Sequence, residues 1–428
     1  MADISTCAPL TRSSVQAAHK IVKPYVHRTP VLTCSTLDKL ASTPQDPAAL
    51  QGTPYEGRTP ARPKINLFFK CENYQRIGAF KARGAFHALS RLTDEQCKKG
   101  VVTHSSGNHA QALALAAHTR GVKAYIVMPH ISTPSKIAGT KSYGAEVIFS
   151  GSTSTEREAV VADVIARTGA TLVPPYDHPD IILGQGTLAL ELEEQVAELL
   201  SSSSSPSSSS SSSLSSPPPA SSSTSSPPSS GLHAVIAPCG GGGMLSGVAT
   251  ALSGTGTLVF GSEPSFQGAD DAGRGLAQGK RIEAVKTLTI ADGLRTPLGA
   301  IPWSVLSQEY DPNVVTTTTG GSSGSSSLGS KRKLHGMFSA TESQIKAAMK
   351  LVLERMKVVI EPSAAVPLAV VLFNEDFRIL VEKLQHDQQR KQDHGQQAGD
   401  VWAWNLGVVF SGGNTTVEAI ARLFGSDS

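Results

Sequence analysis

No run of eighteen apolar residues occurs anywhere in the sequence, so no segment has the length to cross a bilayer as a helix. Charge is sparse and balanced. Only 17% of residues are Asp, Glu, Lys or Arg, the net charge is +3, and the longest basic run is Lys331-Arg332-Lys333. Such a surface offers no continuous positive stripe for a phosphate backbone, and neither a nucleic-acid nor a membrane partner is expected. Cysteine is equally scarce. Cys7, Cys34, Cys71, Cys97 and Cys239 are scattered, odd in number and lack a C-x-x-C pair, which excludes a disulfide framework and a cysteine-rich structural zinc site. The first residues, with Asp3, Arg12 and Lys20 among small polar side chains, lack the apolar core of a secretory signal, so a cytoplasmic protein is the expectation.

What remains is globular. With 428 residues and 39% hydrophobic content the chain can build two cores. Residues 201–230 are almost wholly Ser and Pro, have nothing to bury, and read as a disordered insertion. Shorter polar insertions near 42–63, 319–330 and 385–399 are expected at the surface. Between them short apolar runs alternate with helical stretches: strand Val101–Thr103, helix Asn108–Arg120, strand Ala124–Met128, helix Pro134–Tyr143, strand Glu146–Phe149. The scheme resumes with strand Ala234–Ala237, helix Met244–Leu252 and strand Leu258–Gly261. It ends with a helix Thr341–Met356, opened by a Thr-Glu-Ser-Gln cap, and a buried strand Gly407–Phe410. Strands joined through helices predict an α/β fold with parallel sheets.

Three segments carry chemistry. The first, Gly78-Ala79-Phe80-Lys81-Ala82-Arg83-Gly84, puts a lysine among small residues at a helix start, where the dipole and low polarity would both depress its pKa and make it a nucleophilic amine; an ordinary exposed lysine is the plainer reading. The second, Ser105-Ser106-Gly107-Asn108-His109, lies where a strand gives way to a helix, so its amides suit a carboxylate; simple capping by Ser or Asn is the alternative. The third, Cys239-Gly240-Gly241-Gly242-Gly243-Met244, follows a strand and opens a helix. Four consecutive glycines let the backbone curl its N–H groups around a phosphate, beyond what a merely flexible turn needs.

Together with Arg28-Thr29-Pro30, Gly184-Gln185-Gly186-Thr187, Gly261-Ser262-Glu263-Pro264, Ala291-Asp292-Gly293, Ile360-Glu361-Pro362 and Ser411-Gly412-Gly413-Asn414, these segments closely resemble the serine racemase and serine/threonine dehydratase group of fold-type II pyridoxal-phosphate (PLP) enzymes. The resemblance implies a tryptophan synthase β-like fold: two open parallel-sheet α/β domains, residues 1–99 with 178–428 and residues 100–177, with the cofactor in the cleft between them and a homodimer as assembly. It further implies that Lys81 holds PLP as a Schiff base, that Gly240, Gly241, Gly242, Gly243 and Met244 bind its phosphate, that Asn108 bonds the ring oxygen, that Ser411 faces the ring nitrogen, and that Phe80 lies beside the ring. Ser105, Ser106, Asn108, His109 and Thr296 would receive a small hydroxy amino acid. Lys81 would move the α-proton on one face and Ser106 on the other, the second face being what racemisation requires.

The segment Glu263 to Asp271 resembles the divalent-cation loop of the same group, with Glu263, Asp271 and the Ala269 carbonyl as oxygen ligands for Mg²⁺, Mn²⁺ or Ca²⁺, although two extra residues stand between Ser265 and Ala269. A solvated acidic turn is the plainer reading. Pro175-Tyr176-Asp177-His178-Pro179 departs from the animal racemases toward the dehydratases, so L-serine, L-threonine and 3-hydroxyaspartate all stay open as substrates. For a second substrate carboxylate, His109, Arg157 and Arg295 are the candidate cations. The competing class is a nicotinamide oxidoreductase, in which Gly241, Gly243 and Ser246 would imitate a dinucleotide turn and Glu263 would bind ribose.

Overall fold

The computed structural model describes residues 4–105, 107–132, 134–203, 231–311, 332–392 and 402–425. Ten strands occur among them: β1 (Val31–Leu32), β2 (Ile65–Cys71), β3 (Val101–His104), β4 (Ala124–Pro129), β5 (Glu146–Ser150), β6 (Thr171–Leu172), β7 (Ala234–Pro238), β8 (Leu258–Pro264), β9 (Gly336–Ala340) and β10 (Trp404–Phe410). They form a six-stranded sheet ordered β1-β2-β10-β7-β8-β9 and a four-stranded sheet ordered β5-β4-β3-β6. All pairings are parallel except the edge pair β1–β2, which is antiparallel, so the parallel reading needs that one correction.

Alternate side chains fix the sheets in two-sided cores. Along β2, Leu67, Phe69 and Cys71 enter one apolar cluster while Phe68 enters the opposite one; Val408 and Phe410 of β10 face the first cluster and Val409 the second. In the smaller sheet Ile126 and Met128 point one way, Tyr125 and Val127 the other. Strands buried on both faces need helices above and below, which the crossovers supply. Three of those helices meet on glycine. A Cβ at Gly184 would stand 2.7 Å from the Gly84 Cα, and one at Gly186 would stand 2.6 Å from the Gly247 carbonyl oxygen. Helix Pro179–Ser203 is thereby seated between helices Lys81–Ser90 and Gly243–Ala251, the two that open on the lysine and glycine motifs.

Several expectations need amendment. The Ser/Pro tract falls outside the described residues from 204 to 230, and its first three serines continue the helix Pro179–Ser203. The 319–330 segment lies wholly outside them. Residues 42–63 are mostly exposed but tied down, because the buried Arg378 donates to the carbonyls of Ala41, Thr43 and Ala61, and Glu375 accepts from the Ala61 amide. The 385–399 stretch begins inside helix Glu375–Gln392, where Gln385 is buried and accepts from the Lys64 amide at 3.1 Å. The Thr341 capping box forms, yet the helix is regular only to Leu351 and continues as a π turn over Val352–Met356.

Candidate active site

Strands β3, β7 and β10 all deliver loops to one cavity of about 490 Å³. Parallel sheets gather ligands outside the carboxyl ends of their strands, where helix starts leave amides unpaired. Phe80, Lys81, Ser105, Asn108, His109, Gly240 to Gly243, Met244, Thr296 and Ser411 all line it. Ser106 lies outside the described residues.

Lys81 is the first residue of its helix and donates from Nζ to the Pro175 carbonyl at 2.7 Å, with the Phe80 ring centroid 5.1 Å away. Burial lowers its pKa to about 8, against an opposing pull from Glu361. About a tenth of such amines are uncharged at pH 7, against roughly 3 in 10⁴ for an unperturbed lysine. The turn before it is stitched to the β10 loop: Phe80 N–H donates to the Ser411 carbonyl at 3.0 Å, and Ala79 bridges Gly412. The exposed-lysine reading is therefore excluded.

The glycine loop is forced by its back wall. A Cβ at Gly241 would lie 2.4 Å from the Tyr176 ring, one at Gly243 2.9 Å from the Tyr176 carbonyl, and one at Gly242 2.3 Å from Leu298. Gly242 also has φ +82°, which side chains rarely adopt. With no side chain admitted, the main chain itself faces the cavity at the start of helix Gly243–Ala251. The second motif behaves alike: helix Asn108–Arg120 has Gly107 at its cap and no side-chain capping bond, while Ser105 Oγ accepts from Gly107 N–H at 3.3 Å. Among the described residues, the cap position itself is therefore held by a glycine and not by Ser or Asn.

Glu361 is the residue that the sequence reading left without a role. It is 6% exposed, accepts from Asn108 Nδ2 and from the Asn414 amide at 3.2 Å, and lines the cavity. Burial, then Asp292, pushes its pKa up to about 7. Asn414 Nδ2 completes the group by donating to Asn108 Oδ1 at 2.8 Å. An acid directly before Pro362 at a helix start was the available signal.

Two of the candidate cations fail on geometry. His109 turns Nε2 to the Val173 carbonyl at 3.1 Å, and burial, then Lys81, lowers its pKa to about 3, so the ring is neutral. Arg295 donates to the carbonyls of Leu288 and Thr289 and does not line the cavity. Arg157 does line it. Away from the cavity wall, Glu263 accepts from the amides of Ala272 and Gly273 at 3.0 and 2.9 Å, a capping role that removes it from any ribose-binding position.

An amine of depressed pKa, a side-chain-free anion cradle and a hydroxyl residue, Ser411, on a third wall fit a phosphorylated aldehyde, and with two parallel-sheet layers they define a fold-type II PLP enzyme. Comparison with known proteins agrees. Residues 50–212 and 227–380 match the family described as pyridoxal-phosphate dependent enzyme. Serine racemase of Arabidopsis thaliana is 36% identical over 96% of this chain and 96% of its own. The beta-hydroxyaspartate dehydratase of Paracoccus denitrificans is 34% identical over 86% of this chain and 91% of its own. The solved structure of maize serine racemase superposes with TM-score 0.70 at 32% identity, covering 97% of each chain. The chain belongs to the pyridoxal-phosphate dependent enzymes, in the serine racemase and serine/threonine dehydratase group.

Proposed function

We propose that the protein is a serine racemase that also deaminates L-serine and L-threonine by dehydration. The observation that carries this reading is the Lys81 amine, depressed to a pKa of about 8 and held in the same cavity as the glycine cradle. Lys81 would hold the cofactor aldehyde, the amides of Gly240 to Gly243 and Met244 its phosphate, Asn108 its ring oxygen and Ser411 its ring nitrogen. Bound there, PLP supplies an electron sink that makes the α-proton of an amino acid removable near neutral pH.

Lys81 Nζ takes up that proton on its face, and the Pro175 carbonyl orients the amine. By the resemblance to the racemases, Ser106 would return or remove a proton on the opposite face. Ser105, Asn108 and His109 receive the substrate carboxylate through the open helix start, and Thr296 contacts the hydroxyl. Glu361 positions Asn108 through the two side-chain contacts at 3.2 Å. Incubating the holoenzyme with L-serine, L-threonine and L-threo-3-hydroxyaspartate, and measuring keto acid and D-serine separately, tests the assignment. Ser106→Ala is expected to remove D-serine formation while sparing pyruvate; loss of both together would contradict the division of faces.

One observation favours a second reading, dehydration of 3-hydroxyaspartate. Arg157 lines the cavity and is the candidate cation for a second carboxylate, and relatives from Paracoccus denitrificans and Saccharomyces cerevisiae carry the names beta-hydroxyaspartate dehydratase and L-threo-3-hydroxyaspartate ammonia-lyase. Faster turnover of that substrate than of L-serine, lost in Arg157→Ala, would select it.

Glu361 gives a pH prediction. Its carboxyl titrates near pH 7 in the folded, cofactor-free protein against an ordinary 4.5, so the folded state binds the extra proton between those values and stability falls as pH rises through that window. Relative to Glu361→Gln, the wild-type protein should lose on the order of 3 kcal/mol between about pH 4.5 and 7, measured by urea denaturation of both at each pH. Equal pH slopes would refute it.

A divalent cation at Glu263, Asp271 and the Ala269 carbonyl completes the reading. Glu263 and Asp271 are 1% and 2% exposed, and burial raises both pKa values, with Asp271 pushing Glu263 further. Two buried carboxylates in mutual repulsion, each with lone pairs to spare, fit a hard cation. The two extra residues are taken up in the turn Phe266–Gly268, where Gln267 has φ 51°. Mg²⁺ should raise the melting temperature and chelator lower it, and Asp271→Asn should abolish the response.

A further inference from the structure

A second cluster of ligand-type side chains lies outside the cavity, where the chain's first turn packs against the start of helix Pro179–Ser203. The Cys7 thiol, the His178 imidazole and the Asp180 carboxylate each present one atom within 4.8 Å of the others. Cys7 Sγ donates to Asp180 Oδ2 at 3.5 Å, and His178 Nδ1 is 4.0 Å from the same oxygen. Ligand atoms around a tetrahedral zinc stand roughly 3.3–3.6 Å apart, so even a pair at the outer limit of 4.8 Å needs to close by only about 1.2–1.5 Å, within reach of side-chain rotation. His178 Nδ1 accepts the Asp180 N–H at 3.2 Å, so its lone pair points toward the aspartate, and a cation bound there replaces that hydrogen bond. Pro179 between them is the first residue of the helix and fixes the backbone that joins the histidine to the aspartate.

From this geometry we propose that Cys7, His178 and Asp180 form a site for a borderline-soft divalent cation of the Zn²⁺ class. Thiolate and imidazole ligands discriminate against Mg²⁺ and Ca²⁺, which prefer oxygen alone. Three protein ligands leave a fourth position to water, and Cys7, half-buried beside the almost wholly buried His178 and Asp180, gives the route of entry. The Cys7 thiol donates its proton to Asp180 Oδ2 at 3.5 Å, and a bound cation takes the place of that proton. Binding therefore forms one metal–sulfur bond, breaks one S–H bond and releases one proton to solvent, with no change in oxidation state.

The site has a mechanical consequence. His178 ends the segment in which the Pro175 carbonyl accepts from Lys81, Tyr176 backs the glycine loop, and the Asp177 carboxylate accepts from the amides of Ala300 and Ile301. A cation there clamps the chain's first turn onto that segment.

The test uses reduced holoenzyme in saturating Mg²⁺, which fills oxygen-only sites, and Co²⁺ as a spectroscopic probe. One equivalent should produce thiolate-to-cobalt charge-transfer absorbance and release one proton in weak buffer. The band should persist in Cys97→Ser, vanish in Cys7→Ser, and require at least tenfold more Co²⁺ in His178→Gln, with circular dichroism confirming that each variant is folded. Zn²⁺ should displace the cobalt band and raise the melting temperature of the wild type but not of Cys7→Ser. Absence of the band in the wild type, or its survival unchanged in Cys7→Ser, overturns the proposal.

Discussion

Replacing Lys81 with alanine is expected to remove the visible absorbance of lysine-bound cofactor and to lower every turnover by at least about 10³-fold. The size follows from the absence of a substitute. The neighbouring groups include a histidine whose pKa is lowered to about 3 and a carboxyl raised to about 7, neither of which can form an imine, while the amine of Lys136, which also lines the cavity, is engaged by Asp292 at 2.8 Å. The fold should survive, since the amine makes one hydrogen bond, to the Pro175 carbonyl, and its removal relieves a buried charge. The measurements are the absorbance spectrum of dialysed protein with added PLP, keto-acid release from L-serine, and the melting temperature of the cofactor-free form. A variant that kept the absorbance would place the attachment elsewhere and remove the basis of the proposed function.

That lysine was legible because its neighbourhood is local. The strand, turn and helix around it, and those around the glycine loop, follow from residue types within a dozen positions, and β3, β4, β7 and β8 fall within a few residues of their sequence-based bounds. Contacts made across the chain left no such trace. The Pro175 carbonyl is a main-chain acceptor with no side-chain signature, and it stands 94 residues from Lys81. Glu361 reads as an acid at a helix start until folding sets Asn108, 253 residues away, against it. The Gln/His/Lys stretch after residue 385 has the composition of a loop, yet Gln385 and Gln388 are drawn into hydrogen bonds with Lys64 and Trp404 and hold the helix in place. Composition reports what a segment could bury alone, not what a distant partner can satisfy.

The same limit hides a buried network of charges, and Arg83→Met should expose it with a loss of about 3–5 kcal/mol. Arg83 is fully buried and donates to Glu72 at 2.7 and 2.8 Å and to Glu191 at 2.8 and 2.7 Å. Lys70, also fully buried, donates to Glu191, Gln195 and Thr29, each at 2.8 Å. Burial pulls the Lys70 pKa down, but three acceptors around one nitrogen are the partners of an ammonium, so the quartet holds two positive and two negative charges. Burial would raise the Glu191 pKa, but Arg83 and Lys70 overturn it to about 2. Stability from that group is present above its ordinary 4.5 and is lost as pH falls toward 2. Removing the guanidinium leaves one lysine against two buried carboxylates, so Arg83→Met should be less stable than wild type in urea at pH 7 and lose much of that acid-side slope. Replacing Lys70, Glu72, Arg83 and Glu191 together by apolar residues of similar volume should cost far less, because no charge is then stranded. Equal losses in the single and the quadruple variant would mean that packing, not charge, fixes this node. Since Arg83 lies on the helix whose first residue is Lys81, the single variant should also show weaker PLP retention at temperatures where the wild type is still folded.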